Sequence, residues 1–435
     1  MKYRFNPSIG WLPAGQVVLL VASLLTFAVL SRLIEPAAYA QFAVLTFAYT
    51  LCSLATDLSS MGFLLVHGDF AANRRAAWRS AYISATGGVL LLLAANTLLV
   101  AAPLPLGPPG VLNTAVLVVG LAAQALSQPP RGQLMVRRAY SQIALTDVSA
   151  TVVTFGATIA LASLYPSVTV LCVQLSLLSV ARLGLVTALN ARHNRRNKSS
   201  SELLGPATAN PITYGLRVLP LNVASYASRS IDSGVLPLIL PAAAAATYSR
   251  SYQLIVSPVT QVQLSLGGAI VERLARHAQG DRLNAKRFDR RLWLALHSLT
   301  FTAAVALSLG APVVQALFFG PQWTHVDLFV AAMAALLPSL TLSTYISWKL
   351  QIRADIRHSL ANLLVLLLVP FFAIALAMTS GTTGAVIGLA TGALFQGVIL
   401  AILHRSFIPT RLWVALLQVC VEWLVLALLV IVRVG

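Results

Sequence analysis

The amino-acid sequence predicts an all-α membrane protein with about 12–14 transmembrane helices, of which we count about 13. Its 435 residues are 58% hydrophobic and only 10% charged, and the mean hydropathy is +0.81. Apolar runs of about 20 residues match the length of a helix that crosses a bilayer. Strands of a membrane barrel would be about ten residues long and would alternate in polarity, so helices are predicted.

The predicted spans are bounded by polar or proline-containing gaps. We place them, in chain order, at 11–33, 39–66, 80–102, 111–130, 142–164, 167–190, 213–239, 243–271, 292–310, 326–348, 359–379, 382–403 and 412–432. The first run is longer than the core of a cleaved signal peptide, which is about 7–15 residues, so it is predicted to remain as the first span.

Basic residues occupy alternate gaps between these spans. Of the 30 Lys and Arg residues, 25 lie in the N-terminal segment and in the gaps 74–79, 131–138, 192–217, 273–291, 349–357 and 405–411. Basic loops stay in the cytoplasm during insertion. The chain is therefore predicted to be a multi-pass protein of the inner (plasma) membrane with a cytoplasmic N-terminus. This pattern also explains the net charge of +18, so membrane lipids are expected partners and nucleic acid is not.

The longest polar interruption divides the chain into two halves. We predict a six-helix bundle over 1–190, a basic cytoplasmic linker over 191–211, a second six-helix bundle over 212–403 and an extra C-terminal transmembrane helix over 404–435. Because six helices is an even number, the two bundles would be parallel repeats around a central cavity.

Arginines within or beside the apolar spans are the first candidate site residues. Arg182, Arg229 and Arg250 lie inside spans, and Arg32 ends span one. An arginine inside a membrane is costly and marks a functional site by default. A convergent set of guanidinium groups suits a phosphate or diphosphate. Two alternatives stay open: Arg32 and Arg182 could anchor an interface, and Arg229 could pair with Asp232 on its own helix.

Polar residues at helical spacing form a second set of candidates. Thr46, Thr50, Ser53, Asp57 and Ser60 would share one face of span two. Span seven carries Asn222, Ser225, Arg229 and Asp232, and span eight carries Gln261. Such stripes face either a wet cavity or another helix, which they join by hydrogen bonds. Asp57 and Asp232 are candidates for coupling to H⁺ or Na⁺.

Signatures of catalysis and of resident cofactors are missing from the sequence. The three cysteines, Cys52, Cys172 and Cys420, lie in different apolar runs. The seven histidines show no metal-binding spacing, and His297 is predicted to be a buried packing residue. No catalytic residue, metal site or cofactor is predicted. Gly384, Gly388 and Gly392 form a ridge of small residues, which predicts close helix packing.

Four segments resemble motifs of a known family. Residues 30–42 (LSRLIEPAAYAQF) resemble the first-loop signature of Wzx-type polysaccharide flippases, and 56–63 (TDLSSMGF) resemble the Asp-Leu-Gly segment of their second span. Residues 229–240 with Tyr248, and 317–323 (LFFGPQW), are similar to the later motifs. This family is the polysaccharide transporter branch of the multidrug/oligosaccharidyl-lipid/polysaccharide exporter superfamily. By position, Arg32, Asp57 and Asp232 match its motifs. Ala40 replaces the usual glycine, and about 13 spans differ from the family's twelve or fourteen.

The resemblance implies a function and its partners. A flippase of this kind moves an undecaprenyl-diphosphate-linked oligosaccharide from the cytoplasmic to the periplasmic leaflet by alternating access. Its product serves lipopolysaccharide or exopolysaccharide assembly, with a polysaccharide polymerase and assembly proteins as partners.

Two alternatives are weaker. A cation-coupled multidrug or small-molecule antiporter would favour acidic and aromatic cavity residues. A membrane polysaccharide polymerase or ligase would need a sizeable outer loop, and the longest outer gap, 312–325, offers no acid–base pair beyond His325 and Asp327, which are two residues apart.

Overall fold

The computed structural model describes residues 11–67, 71–101, 110–137, 139–196, 210–279, 282–353 and 356–434. These ranges are helical apart from short turns, which confirms the all-α class. The helices are α1 Trp11–Leu33, α2 Pro36–Ala55, α3 Ser60–His67, α4 Ala71–Ala101, α5 Val111–Val136, α6 Tyr140–Leu164, α7 Val168–Arg196, α8 Pro211–Ile239, α9 Ala242–Gln279, α10 Arg282–Leu309, α11 Ala311–Phe318, α12 Val326–Arg353, α13 Ile356–Leu366, α14 Leu368–Leu403 and α15 Leu412–Val434. Within the described ranges, nine helices are long and apolar enough to cross a membrane. The total of about 13 spans stays a prediction.

Span two is broken, so the prediction of one continuous helix over 39–66 is wrong. Helix α2 ends at Ala55 and α3 begins at Ser60. Between them, Ser59 has a φ of 49°, and its backbone N–H donates to Asp57 Oδ1 at 2.8 Å. Short polar side chains of this kind compete with helical hydrogen bonds for the backbone. Asp57 therefore lies in a turn, and the five polar residues of this segment do not share one helix face.

The first compact unit comprises Met1–Tyr226. Its α5 packs against α4 and α7, and a Cβ at Gly120 would overlap Ser176. The beginning of α8 also belongs here, because the Tyr214 ring contacts Phe63 edge-on at 6.2 Å. The division into compact units thus falls inside α8. The predicted boundaries at 190 and 212 stay a prediction.

The second compact unit comprises Ala227–Gly435 and is built around the buried helix α12. Helices α9, α10, α14 and α15 all pack against α12. Trp423 Nε1 of α15 donates to the carbonyl of Ala390 in α14 at 2.6 Å. The last helix is therefore an integral part of this unit.

Helix α14 reverses direction at Ser380–Gly381, where Gly381 has a φ of 59°. This reversal separates the predicted spans 359–379 and 382–403. After it, side chains at Gly384, Gly388 and Gly392 would overlap the backbone of the preceding segment. The predicted close packing of the glycine ridge is confirmed, and its partner is the first half of the same helix.

Candidate functional site

A buried carboxylate holds two arginines inside the first unit. Asp147 lies within the first two turns of α6. Its Oδ2 accepts a hydrogen bond from an Arg131 NH2 group on α5 at 2.7 Å, and its Oδ1 lies 3.3 Å from Arg182 Nε on α7. One acidic side chain therefore joins three helices. We refer to these three residues as the Asp147 cluster.

The Asp147 cluster carries an excess of positive charge. Two guanidinium groups and one carboxylate give a formal charge of +1. The Asp147 side chain is 8% exposed, whereas those of Arg131 and Arg182 are 27% and 34% exposed. The acid is thus withdrawn while both cations stay partly accessible. This arrangement suits an incoming anion, because each guanidinium retains donors that Asp147 does not use.

Neutral polar groups extend the cluster toward α2. The Tyr49 hydroxyl donates to Gln124 Oε1 on α5 at 2.8 Å, and it also has a hydrogen-bond contact with Ser179, three residues before Arg182. These groups offer the mixed donors and acceptors that sugar hydroxyls or phosphate oxygens can use.

The second unit holds its own buried carboxylate at Asp232 of α8. The Tyr248 hydroxyl on α9 donates to one of its oxygens, and the Ser233 N–H donates to the other at 2.7 Å. The Tyr248 ring contacts Phe329 of α12 edge-on at 5.7 Å. The structure therefore brings together the Asp and the Tyr of one predicted family motif, and α12 fixes the position of the tyrosine.

Arg250 lies two residues beyond Tyr248 and is 8% exposed. One of its NH groups donates to Gln253 Oε1 at 2.8 Å. On the preceding turn, the Thr247 hydroxyl contacts the carbonyl of Thr324 at 3.0 Å. Arg250 is thus held inside the second unit in this conformation, unlike the more accessible Arg131 and Arg182.

The other predicted site residues are more dispersed. Arg32 is exposed in the last turn of α1. Ser53 in α2, Asp57 in the turn and Asn222 in α8 are partly buried, and Gln261 in α9 is exposed. The side chains of Ser225 and Arg229 lie outside those that the structure describes. The site assignment as a whole stays a prediction.

Sequence reasoning missed Arg131 and Asp147, although a signal for one of them was present. Asp147 is a carboxylate inside an apolar span, which is the property that singled out Asp57. The charge pattern places Arg131 in a cytoplasmic gap, whereas α5 continues to Val136 and carries this residue inside the helix. Across the described ranges, no group of three or more His, Cys, Asp or Glu residues is close enough to hold a metal ion.

Comparisons with known proteins agree with this architecture. A family described as polysaccharide biosynthesis protein matches residues 29–327. The chain belongs to this family. The family match confirms the predicted link to polysaccharide biosynthesis. No curated protein sequence matches the chain significantly.

Solved structures share the fold at low sequence identity. A structure titled lipid II flippase MurJ in an inward closed conformation is 13% identical, with a TM-score of 0.63 over 95% of this chain and 97% of that one. The eukaryotic MATE transporter AtDTX14 is 15% identical, with a TM-score of 0.62 over 97% of each chain. A MOP superfamily transporter from Pyrococcus furiosus is 14% identical, with a TM-score of 0.59 over 97% and 96%.

Proposed function

We propose that the protein is a flippase that moves an undecaprenyl-diphosphate-linked oligosaccharide from the cytoplasmic to the periplasmic leaflet of the inner membrane. The family match supports a role in polysaccharide biosynthesis. The observation that carries the substrate proposal is the Asp147 cluster, which places two partly accessible guanidinium groups inside a membrane bundle.

The position of the cluster fits capture of the substrate from the cytoplasmic side. Arg131 lies in the last two turns of α5 and Asp147 in the first two turns of α6, next to a gap that charge asymmetry predicts to be cytoplasmic. A diphosphate headgroup that enters the bundle from that leaflet would reach the two arginines. It would replace Asp147 as their partner, because bidentate phosphate contacts are among the strongest charge-assisted hydrogen bonds.

Asp147 has a distinct role in this proposal. Without substrate, it offsets the charge of the two arginines and holds both of them in place. When the phosphate arrives, Asp147 loses these partners and becomes a buried carboxylate, which is unfavourable. When the phosphate leaves, Asp147 regains its two arginine partners. Release is therefore favoured once the two bundles open to the other side, and binding remains reversible. The proposal also includes alternating access. It assigns Arg32, Arg229 and Arg250 to the later part of the substrate path.

Deletion of the gene tests this function. Cells that lack the protein should accumulate lipid-linked repeat units on the cytoplasmic leaflet and lose surface polysaccharide, and their susceptibility to drugs should stay the same. Normal surface polysaccharide in a strain without a paralogue would contradict the proposal. Increased susceptibility to cationic drugs with intact polysaccharide would favour the antiporter alternative.

A further inference from the structure

A second ionisable pair is buried in the second unit, away from the Asp232 carboxylate. His297 on α10 is 1% exposed, and the side chain of Glu422 on α15 is 9% exposed. His297 Nδ1 lies 3.8 Å from Glu422 Oε2. This distance is longer than a hydrogen bond but within the range of a direct charge interaction.

Depth sets this pair apart from an interfacial salt bridge. At about 1.5 Å per residue, His297 lies about 9 Å beyond Arg291, and Glu422 lies about 16 Å beyond Arg411. Both arginines belong to gaps that are predicted to be cytoplasmic. On the cytoplasmic side of the pair, an apolar core closes around Trp293, Leu400 and Val419. The pair is thus separated from that surface by packed side chains.

The hydrogen-bonding capacity of the pair is incompletely used. Gln418 donates to Glu422 Oε1 at 2.9 Å. Within the described part of the chain, Glu422 Oε2 and both ring nitrogens of His297 are buried without a hydrogen-bond partner. In the same described part, the fully buried Gln396 amide on α14 also lacks a hydrogen-bond partner. The next residue, Gly397, packs against Val419, which lies one turn before Glu422. Buried polar atoms are normally satisfied, so these exceptions require an explanation.

The neighbouring charged groups do not supply the missing partner. Among the side chains of α12 that the structure describes on this side, Tyr345 and Lys349 are titratable, and both bind Asp289 of α10. Tyr345 contacts Trp293, whose ring centroid lies 5.0 Å from that of Tyr345 and 4.1 Å from that of His297. His404, at the end of α14, contacts His358 and Phe407. Arg250, Tyr248 and Tyr252 of α9 and Asp327 of α12 lie near the opposite ends of their helices.

We propose that His297 and Glu422 together form a binding site for one exchangeable proton, which makes H⁺ the coupling ion of this transporter. The proposal rests on the transport function above. With neutral imidazole and ionised Glu422, the pair has a charge of −1, which is unfavourable in a dry membrane interior. One added proton, on either the imidazole or the carboxyl group, makes the pair neutral. It also ensures a donor between Nδ1 and Oε2, whichever tautomer the neutral imidazole has.

This site explains why the last helix is coupled to the bundle. Helix α15 contributes the carboxylate and α10 the imidazole, so proton occupancy sets the charge across the α10–α15 contact. Loss of the proton leaves a buried anion there and favours an arrangement of α15 that admits water. A proton moving between leaflets would thereby bias the conformation of the second unit.

Infrared difference spectroscopy across a pH series tests the site without substrate. The full-length protein in nanodiscs, in potassium buffer without sodium, should show one titration step in carboxylate or imidazole bands across the pH series. Glu422→Gln should abolish this step. His297→Gln should abolish it or move its midpoint by about one pH unit or more. Glu35→Gln, which changes an exposed carboxylate, should leave it intact.

Three results would overturn the proposal. These are an unchanged titration step in both variants, no titration of the pair across the range, and displacement of the signal by sodium at fixed pH. If Glu422→Gln does not fold, His297→Gln and the double variant with two neutral amides provide the comparison. The experiment needs no oligosaccharide, so a negative result would leave the flippase proposal standing. A failed deletion phenotype, conversely, would leave the titration step in place.

Discussion

Arg131 and Asp147 are joined at 2.7 Å across the α5–α6 contact, with the acid buried and the cation partly exposed. Because of this difference in exposure, the effect of the pair on stability can be tested separately from its effect on substrate binding. The carboxylate organises the cluster, and the guanidinium groups are the parts that a ligand can reach. The two roles lead to different predictions for the acid and for the bases.

Replacement of the acid should weaken the first unit. Asp147→Asn leaves Arg131 and Arg182 close together without their counter-charge. Because both arginines are partly exposed, we expect a loss of about 1–3 kcal/mol, less than for a fully buried pair. The midpoint of thermal unfolding in detergent would report it. Glu35→Gln is the matched neutralisation at an exposed site and should change stability little. Equal midpoints for the two variants would contradict this role of Asp147.

Replacement of the bases should weaken binding of a lipid diphosphate. Arg131→Ala or Arg182→Ala removes charge-assisted hydrogen bonds worth about 1.5–3 kcal/mol, which corresponds to roughly tenfold to a hundredfold weaker binding. Binding of undecaprenyl diphosphate to purified protein measures the effect. Arg192→Ala, on the exposed end of α7, is the control and should bind as wild type does. Equal weakening by all three variants would indicate a general charge effect.

The Tyr248 hydroxyl should stabilise the second unit through Asp232. Tyr248→Phe keeps the ring against Phe329 but removes one of the donors to a buried carboxylate. A buried group left with a missing partner costs about 1–3 kcal/mol. Tyr82→Phe, at a ring that is 57% exposed, should be close to neutral. Denaturant or thermal unfolding compares the two, and a silent Tyr248→Phe would show that this hydrogen bond contributes nothing.

The reversal of α14 should tolerate no side chain along its glycine ridge. Gly388→Ala places a Cβ where the Phe372 carbonyl and Ala373 already lie. The two halves of α14 must then separate, and overpacking of this kind costs about 1–3 kcal/mol. Gly156→Ala is the control, because nothing lies within 4 Å of its added Cβ. Yield of folded protein and its unfolding midpoint should fall for Gly388→Ala alone.

Much of the fold was predictable because the length of membrane helices and the charge of their loops can be seen in the sequence alone. Apolar length and the alternation of basic gaps located the long helices, although the short helix α11 (Ala311–Phe318) falls in a gap predicted between two spans. The small-residue period at Gly384–Gly392 predicted close packing. The break at Asp57–Ser59 was missed because helical spacing alone suggests a continuous stripe. The Asp57 side chain accepts a hydrogen bond from the Ser59 backbone N–H, and this competing contact interrupts the helix.

The candidate site was less predictable because it depends on partners from different helices. Arg182 was identified as a membrane arginine, but nothing in its own helix indicates that Asp147 and Arg131 surround it. The described contacts of Asp232 are Tyr248 and Ser233, and its pairing with Arg229 stays a prediction because the Arg229 side chain lies outside those that the structure describes. Asp232 and Tyr248, the two residues of the predicted family motif, are in direct contact.

Transbilayer movement of a labelled undecaprenyl-diphosphate-linked oligosaccharide in proteoliposomes tests the account most directly. Wild-type protein should move the substrate from one leaflet to the other, the Arg192→Ala control should match it, and the Arg131→Ala/Arg182→Ala double variant should lose movement while remaining folded. Movement at the wild-type rate by the folded double variant would contradict the assignment of the diphosphate to the Asp147 cluster.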